Sequence, residues 1–162
     1  MSTAPAAAAP DDGPPAAAAV LDRFLGAWET ETWIRRVAAP PRETHTKGRA
    51  DCQRTLAGRY VEFRSRSAPA AYAELQIMTY DPDSGRFLQW VFDSDGYRHA
   101  AVDTWDAPAQ RLRWEGRDGT GTFVIDDQWR SPDRLEWTLT RVDAAGQQTQ
   151  SIRGVVQRAT RP

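Results

Sequence analysis

Little in this 162-residue sequence points to covalent or electrostatic anchoring. The single cysteine, Cys52, cannot form an intramolecular disulfide, so the fold does not depend on oxidation. The formal net charge is −1, which gives no general attraction for nucleic acid or for an anionic membrane. No apolar run approaches the ~20 residues that span a bilayer. We therefore expect neither a nucleic-acid partner nor a membrane partner.

Residues suited to metal binding or to nucleophilic catalysis are equally few. The only two histidines, His45 and His99, form no recognised ligand spacing with Cys52, so no metal site is predicted. The sequence has no nucleophile-elbow motif, and the Gly-rich run 116–121 lacks the helix that must follow a phosphate-binding loop. These absences favour a binding protein over an enzyme.

The first 19 residues are rich in Ala and Pro and have almost no bulky side chains. Such a segment buries too little apolar surface to offset the entropy of ordering, which predicts a disordered tail. It also lacks the basic start and the uninterrupted apolar run of a secretion signal, which favours a cytoplasmic protein. One domain is expected over 20–158, followed by a short tail at 159–162.

What the chain does have is alternation of apolar and polar residues in short runs, which indicates strands with one buried face. A helix is predicted over 16–25, and Gly26 is placed to end it. Ten strands are predicted at about 27–36, 44–55, 58–67, 71–80, 86–93, 97–105, 110–117, 120–130, 134–143 and 147–158.

The turns between these runs are too short for crossover helices, so consecutive strands should pair as hairpins. A meander of ten strands removes its edges by closing on itself. The sequence therefore predicts an all-β, antiparallel up-and-down barrel of about ten strands, with the short helix closing one end. A β-sandwich is the alternative.

One hairpin allows the register and the interior to be predicted. Centring its loop on residues 83–84 places the apolar residues of 75–79 opposite those of 88–92. We take this shared face as the inner one, and its side chains either line a pocket or fill the barrel outright. The predicted ligand-binding residues are Leu75, Ile77, Leu88, Trp90, Phe92, Trp114, Phe123 and Trp137.

Two residues are candidates for acid–base chemistry, His99 and Glu74. The facing of His99 depends on one turn. A two-residue loop at 95–96 places His99 opposite Phe92, pointing inward. A three-residue loop at 94–96 points the more apolar Ala100 and Val102 inward instead, and this favours His99 outside the barrel.

The run L-D-R-F-L-G-A-W-E-T-E-T-W at 21–33 resembles the opening of lipocalin-like, or calycin, barrels: a short helix followed by G-x-W on the first strand. The resemblance implies that Trp28 closes the bottom of the barrel. It also implies that Trp28 packs against an arginine of the last strand, for which Arg153 and Arg158 are the candidates. Any pocket should then lie at the end opposite the helix.

Residues 20–158 also resemble a bacterial lipocalin-like family of unknown function, through G-R-Y at 58–60, Y-D-P at 80–82 and D-S-x-G at 93–96. The nitrobindins, a related family that binds haem, open with G-x-W-x-G-x-G-x-G and supply a proximal histidine late in the chain. Here the glycine-rich run is replaced and no histidine follows His99, so haem is not expected and no other cofactor is indicated.

Three functions remain open from the sequence. The first is non-enzymatic binding of a small apolar or amphipathic molecule in the interior. The second is an isomerase or hydrolase acting on a small lipophilic substrate. The third is a filled barrel, monomeric or homodimeric, that acts through an outer aromatic patch of Tyr80, Phe87 and Trp105.

Overall fold

The computed structural model describes residues 15–37, 42–68 and 71–160. Residues 1–14 of the predicted tail lie outside this part of the chain, while residues 15–19 belong to a helix. The described elements are α1 Pro15–Asp22, β1 Gly26–Arg36, β2 Arg42–Thr55, β3 Tyr60–Ala68, β4 Ala73–Asp81, β5 Arg86–Asp93, β6 Arg98–Asp106, β7 Arg111–Asp118, β8 Gly121–Ser131, β9 Arg134–Val142 and β10 Gln148–Arg158.

The ten strands form a closed barrel in which every strand pairs antiparallel with its neighbours in the chain. The barrel closes because β1 pairs with β10 as well as with β2. The predicted architecture is confirmed, and so is the register of the β4–β5 hairpin, in which Leu75 lies opposite Phe92 and Ile77 opposite Trp90.

Helix α1 and Trp28 close one end of the barrel, which we call the closed end. Trp28 is 1% exposed, and its indole Nε1 donates a hydrogen bond to the carbonyl oxygen of Phe24 at 2.7 Å. The guanidinium of Arg158 lies 4.1 Å from the Trp28 ring centre. The expected arginine is therefore Arg158, whereas Arg153 stacks on Trp33 of β1.

Large apolar side chains fill the half of the barrel next to the closed end. Their burial is the main favourable contribution to folding. The buried set includes Leu21, Phe24, Val61, Met78, Phe87, Leu112, Trp114, Trp129, Leu135 and Val156. The loops at 94–97, 119–120 and 143–147 lie at the opposite end, which we call the far end.

The faces of β4 and β5 are reversed relative to the prediction. Phe87, Gln89 and Val91 are only 3–4% exposed, whereas Phe92 is 45% exposed. The prediction was wrong because both faces of β5 carry apolar residues, so alternation alone does not say which face is inside. Five of the predicted lining residues therefore lie on the outer wall: Leu75, Ile77, Leu88, Trp90 and Phe92.

The predicted outer aromatic patch is wrong for the same reason. Tyr80 and Phe87 pack against each other inside the barrel, with ring centres 5.2 Å apart. Trp105 packs against the same core, and the guanidinium of Arg23 lies 5.3 Å from its ring centre. These aromatics belong to the closed end and not to an interaction surface.

Candidate functional site

Small side chains line one wall of the far half of the barrel. They lie on β1, β2 and β3, in register with the inward pair Trp28 and Ala50. All of them are partly exposed although they point inward, so water reaches the lumen here. This small-residue wall consists of Thr30, Thr32, Thr46, Gly48, Ser65 and Ser67.

Two aromatic rings of the far half lie against the wall of the barrel. A Cβ atom added to Gly154 would lie 2.1 Å from Nε1 of Trp137, and one added to Gly116 would lie 2.2 Å from Cζ of Phe123. Each ring therefore covers a glycine on the neighbouring strand. Both residues face inward: Phe123 is 2% exposed, and Trp137 is partly buried against the core. Trp114, the other inward residue of the predicted set, is 0% exposed.

A row of hydrogen-bonded polar side chains crosses the inner face from the far end. Tyr72 donates to Glu74 Oε2 at 3.0 Å, and Gln76 Nε2 donates to Glu74 Oε1 at 2.6 Å. Gln89 Nε2 then donates to Gln76 Oε1 at 2.9 Å. Burial raises the pKa of Glu74, while its two hydrogen-bond donors oppose that rise.

His99 points into the barrel, contrary to the outward facing that the sequence favoured. The three-residue loop is present and places Val91 opposite His99, but Val91 belongs to the inner face. Burial, assisted by the positive charge of Arg141, lowers the pKa of His99 to about 4, so the imidazole is neutral at pH 7. Its ring meets the Phe123 ring edge-on, with centres 4.5 Å apart.

Arg141 is held in an ion pair at the far end, beside His99. Its guanidinium donates to Asp118, to Thr120 Oγ1 at 3.0 Å and to the Tyr97 hydroxyl at 2.7 Å. Burial alone would raise the pKa of Asp118, but hydrogen bonds from Thr120, Tyr97 and Arg141 hold it well below its usual range. Arg141 is therefore already paired with an anion of the protein itself.

Two buried carboxyl groups lie deeper in the barrel, and sequence reasoning assigned them no role. Asp103 is 0% exposed, and its Oδ1 accepts a hydrogen bond from the Arg113 backbone N–H at 2.7 Å. Asp127 accepts one from Trp114 Nε1 at 2.8 Å. Burial raises the pKa of Asp103 to about 8 and that of Asp127 to about 7. Both lie on the inner face, Asp103 opposite Trp114 and Asp127 opposite Trp137.

Within residues 15–37, 42–68 and 71–160, no three His, Cys, Asp or Glu side chains lie close enough together to hold a metal ion. His45 stacks on Trp33, with ring centres 4.6 Å apart, on the face opposite to inward Trp28. Within the described part of the chain, no helix is long and apolar enough to cross a membrane.

Solved structures share this fold at low sequence identity. A protein from M. tuberculosis, Rv2717c, is 12% identical, with a TM-score of 0.67 over 92% of this chain and 100% of its own. The S-type phycobiliprotein lyase CPES from Guillardia theta is 8% identical, with a TM-score of 0.63 over 89% and 93%. The fold is a lipocalin-like barrel. No family model matches the sequence, and no curated protein matches it significantly.

Proposed function

We propose that this barrel binds a small amphipathic molecule in the far half of its lumen. The apolar part of the ligand lies against Phe123 and Trp137, and its polar part is directed toward the row from Glu74 to His99. Ligand sites in proteins are typically concave and largely apolar, with a few polar groups that fix orientation. The far half has this composition.

The observation that carries the proposal is the partial exposure of the inward side chains on β1, β2 and β3. In the closed-end half the inward side chains are large and buried, as with Leu112 and Trp114, which are both 0% exposed. In the far half the small-residue wall is partly exposed although it faces inward. A barrel filled throughout would bury these positions as it buries Trp114.

The proposal is tested by titrating the protein with Nile red, a neutral dye whose emission rises in apolar surroundings. We expect saturable binding of one dye per chain. Ser65→Phe, which places a ring in the lumen, should weaken it at least about tenfold, equivalent to about 1.4 kcal/mol. The matched control is Ser151→Phe, because Ser151 alternates with the inward Ile152 and faces outward.

Circular dichroism establishes that both variants keep the fold. Unchanged dye affinity in a folded Ser65→Phe protein would contradict binding in the far-half lumen. Equal weakening by Ser151→Phe would also contradict it, because that result would place the dye on the outer surface.

A second candidate is an isomerase or hydrolase acting on a small lipophilic substrate. It is favoured by one observation: both acid–base candidates, Glu74 and neutral His99, face the lumen. Neutral imidazole is the form that accepts a proton in general-base catalysis. Hydrolysis of p-nitrophenyl octanoate that is lost in His99→Gln would support this candidate, and equal rates in the two proteins would oppose it.

A further inference from the structure

The polar row on β4 and β5 has a direction that follows from its chemistry. The carboxylate of Glu74 accepts hydrogen bonds, so Gln76 must present its NH2 group to Glu74, at 2.6 Å. Gln76 then offers its Oε1 to Gln89, which must donate through its own NH2 group, at 2.9 Å. The row therefore ends with the carbonyl oxygen of Gln89 as its last acceptor.

This terminal oxygen is unusual because it is buried and unsatisfied. Gln89 is 3% exposed, and its Oε1 accepts no hydrogen bond from any residue that the structure describes. Buried polar atoms nearly always have a partner, because leaving one unpaired is costly. The oxygen lies on the inner face with almost no accessible surface, so a donor reaches it only if a ligand entering the barrel displaces the side chains around it.

His99 lies next to Gln89, and its ring nitrogens also lack hydrogen-bond partners among the described residues. Gln89 is opposite Ala101, and Val91 is opposite His99, so Gln89 and His99 are diagonal neighbours on the inner face. The backbone positions of diagonal pairs lie about 7–8 Å apart, a spacing at which two long side chains on one face extend toward the same point. Neither ring nitrogen of His99 bonds to any residue in the described part of the chain.

The unpaired atoms of Gln89 and His99 determine which chemical group of a ligand can hydrogen-bond to both side chains. Neutral imidazole has one donor and one acceptor nitrogen, and Gln89 adds a second acceptor. A hydroxyl group can donate to one acceptor while it accepts from the imidazole N–H. A carboxylate offers acceptors only, so it cannot donate to Gln89 Oε1. Its negative charge would also lie on the same polar row as the carboxyl group of Glu74. An ammonium group offers donors only, so it would leave the imidazole N–H without an acceptor.

We propose that the lumen recognises its ligand through an uncharged hydroxyl group, held between Gln89 Oε1 and the His99 imidazole, so that the ligand class is a lipophilic alcohol. This inference rests on the lumen binding proposed above. It goes further by assigning the specificity to Gln89 and His99, and by excluding fatty acids and alkylamines as preferred ligands. Arg141, the nearest cation, is already paired with Asp118 and so does not select a carboxylate.

The test uses two isomers of equal size, octan-1-ol and 1-methoxyheptane, which compete with Nile red for the full-length protein. The ether keeps the oxygen acceptor but has no donor. We expect the alcohol to bind about tenfold more tightly than the ether, the effect of one buried acceptor left unpaired. In Gln89→Leu the ratio should fall to near one, because the ether keeps its affinity while the alcohol loses its own.

A second variant tests the same site, and a matched control tests whether the effect is specific to it. His99→Leu should weaken the binding of both isomers and leave their ratio at about ten, because it removes the N–H from which both oxygens accept and keeps the Gln89 acceptor. It tests the site independently if Gln89→Leu does not fold. Gln157→Leu makes the same chemical change at an exposed outward position and should leave the ratio at its wild-type value. Octanoate and octylamine complete the series at pH 7.5, and both should compete more weakly than octan-1-ol.

The outcomes separate the two proposals. If neither isomer displaces the dye, lumen binding itself is wrong. If both isomers displace it equally in the wild-type protein, lumen binding stands and the hydroxyl recognition is wrong. Tighter binding of octanoate or of octylamine than of octan-1-ol would likewise overturn the assigned ligand class.

Discussion

Two sectors of the barrel wall use opposite polarity. In β7–β9 the inner face is mainly apolar, with Leu112, Phe123 and Leu139 buried, although it also carries Asp127 and Arg141. The outer face carries charged pairs such as Arg113 with Asp126 at 3.1 Å. In β4–β6 the inner face carries Glu74, Gln76, Gln89 and His99, while the outer wall carries Trp90 and Phe92 among other apolar residues. We call these the apolar-lined and the polar-lined sector.

The contrast separates residues that stabilise the barrel from residues that we propose recognise a ligand. The apolar-lined sector follows the ordinary rule for a one-side-buried sheet. The polar-lined sector departs from it on both faces, and such departures are expected where function has priority over stability. The row that ends at Gln89 and His99 lies entirely in this second sector.

The largest expected effect compares a tryptophan from each sector. Trp114→Ala should lower the free energy of unfolding by about 3–5 kcal/mol, because it empties a fully buried site and leaves Asp127 without its donor. Trp90→Ala on the outer wall should cost only about 1 kcal/mol. Urea unfolding measures both, and equal losses would mean that the assigned faces of β5 are incorrect.

The next effect concerns Asp103, at the border between the sectors, opposite Trp114. Its pKa is raised to about 8 in the folded protein, so the folded state keeps a proton that the unfolded chain has released. Stability should therefore fall as pH rises from 6.5 to 8, by up to about 1.4 kcal/mol per pH unit. Asp103→Asn should flatten this slope in unfolding titrations, and an unchanged slope would contradict the assignment.

His99 should give the opposite dependence in the polar-lined sector. Its pKa is lowered to about 4, so acidification from pH 6.5 to 4 protonates the unfolded chain before the folded one. This one group should then cost about 1–2 kcal/mol of stability over that range. His99→Leu should remove the loss, and NMR titration of the imidazole gives a direct check. A His99 pKa near 6.5 would refute the proposed burial.

The smallest effect is expected on the outer wall of the polar-lined sector. Phe92 is 45% exposed, so Phe92→Ser should change the free energy of unfolding by less than about 0.5 kcal/mol. Nile red affinity should also stay at its wild-type value. Loss of dye binding in this variant would show that the dye occupies the outer apolar face and not the lumen.

The sequence was informative about pairing because turns and alternation act locally. The loop at 83–84 determined the β4–β5 register, and G-x-W indicated both the closing role of Trp28 and an arginine partner, which is Arg158. Strand ends agreed to within a few residues, since Gly, Pro and Asp in the turns stop pairing for local steric reasons.

It was harder to predict which face of each strand points into the barrel, because that depends on how the whole sheet closes and not on local sequence. The favoured three-residue loop was correct, yet His99 was expected outside because the face of Trp90 was taken as the inner one. A signal was available one hairpin later. Trp105 lies opposite the inward Leu112, so every second residue of β6 back to His99 must also face inward. The buried Asp103 lies on the same face.

The central claim is that the ligand binds inside the polar-lined sector and not on its apolar outer wall. The most direct test is 19F NMR of protein labelled with 5-fluorotryptophan, titrated with octan-1-ol and assigned with Trp→Phe variants. We predict that the resonance of Trp137, in the lumen, shifts with saturation while that of Trp90, on the outer wall, stays in place. A shift of Trp90 with a stationary Trp137 would contradict the account.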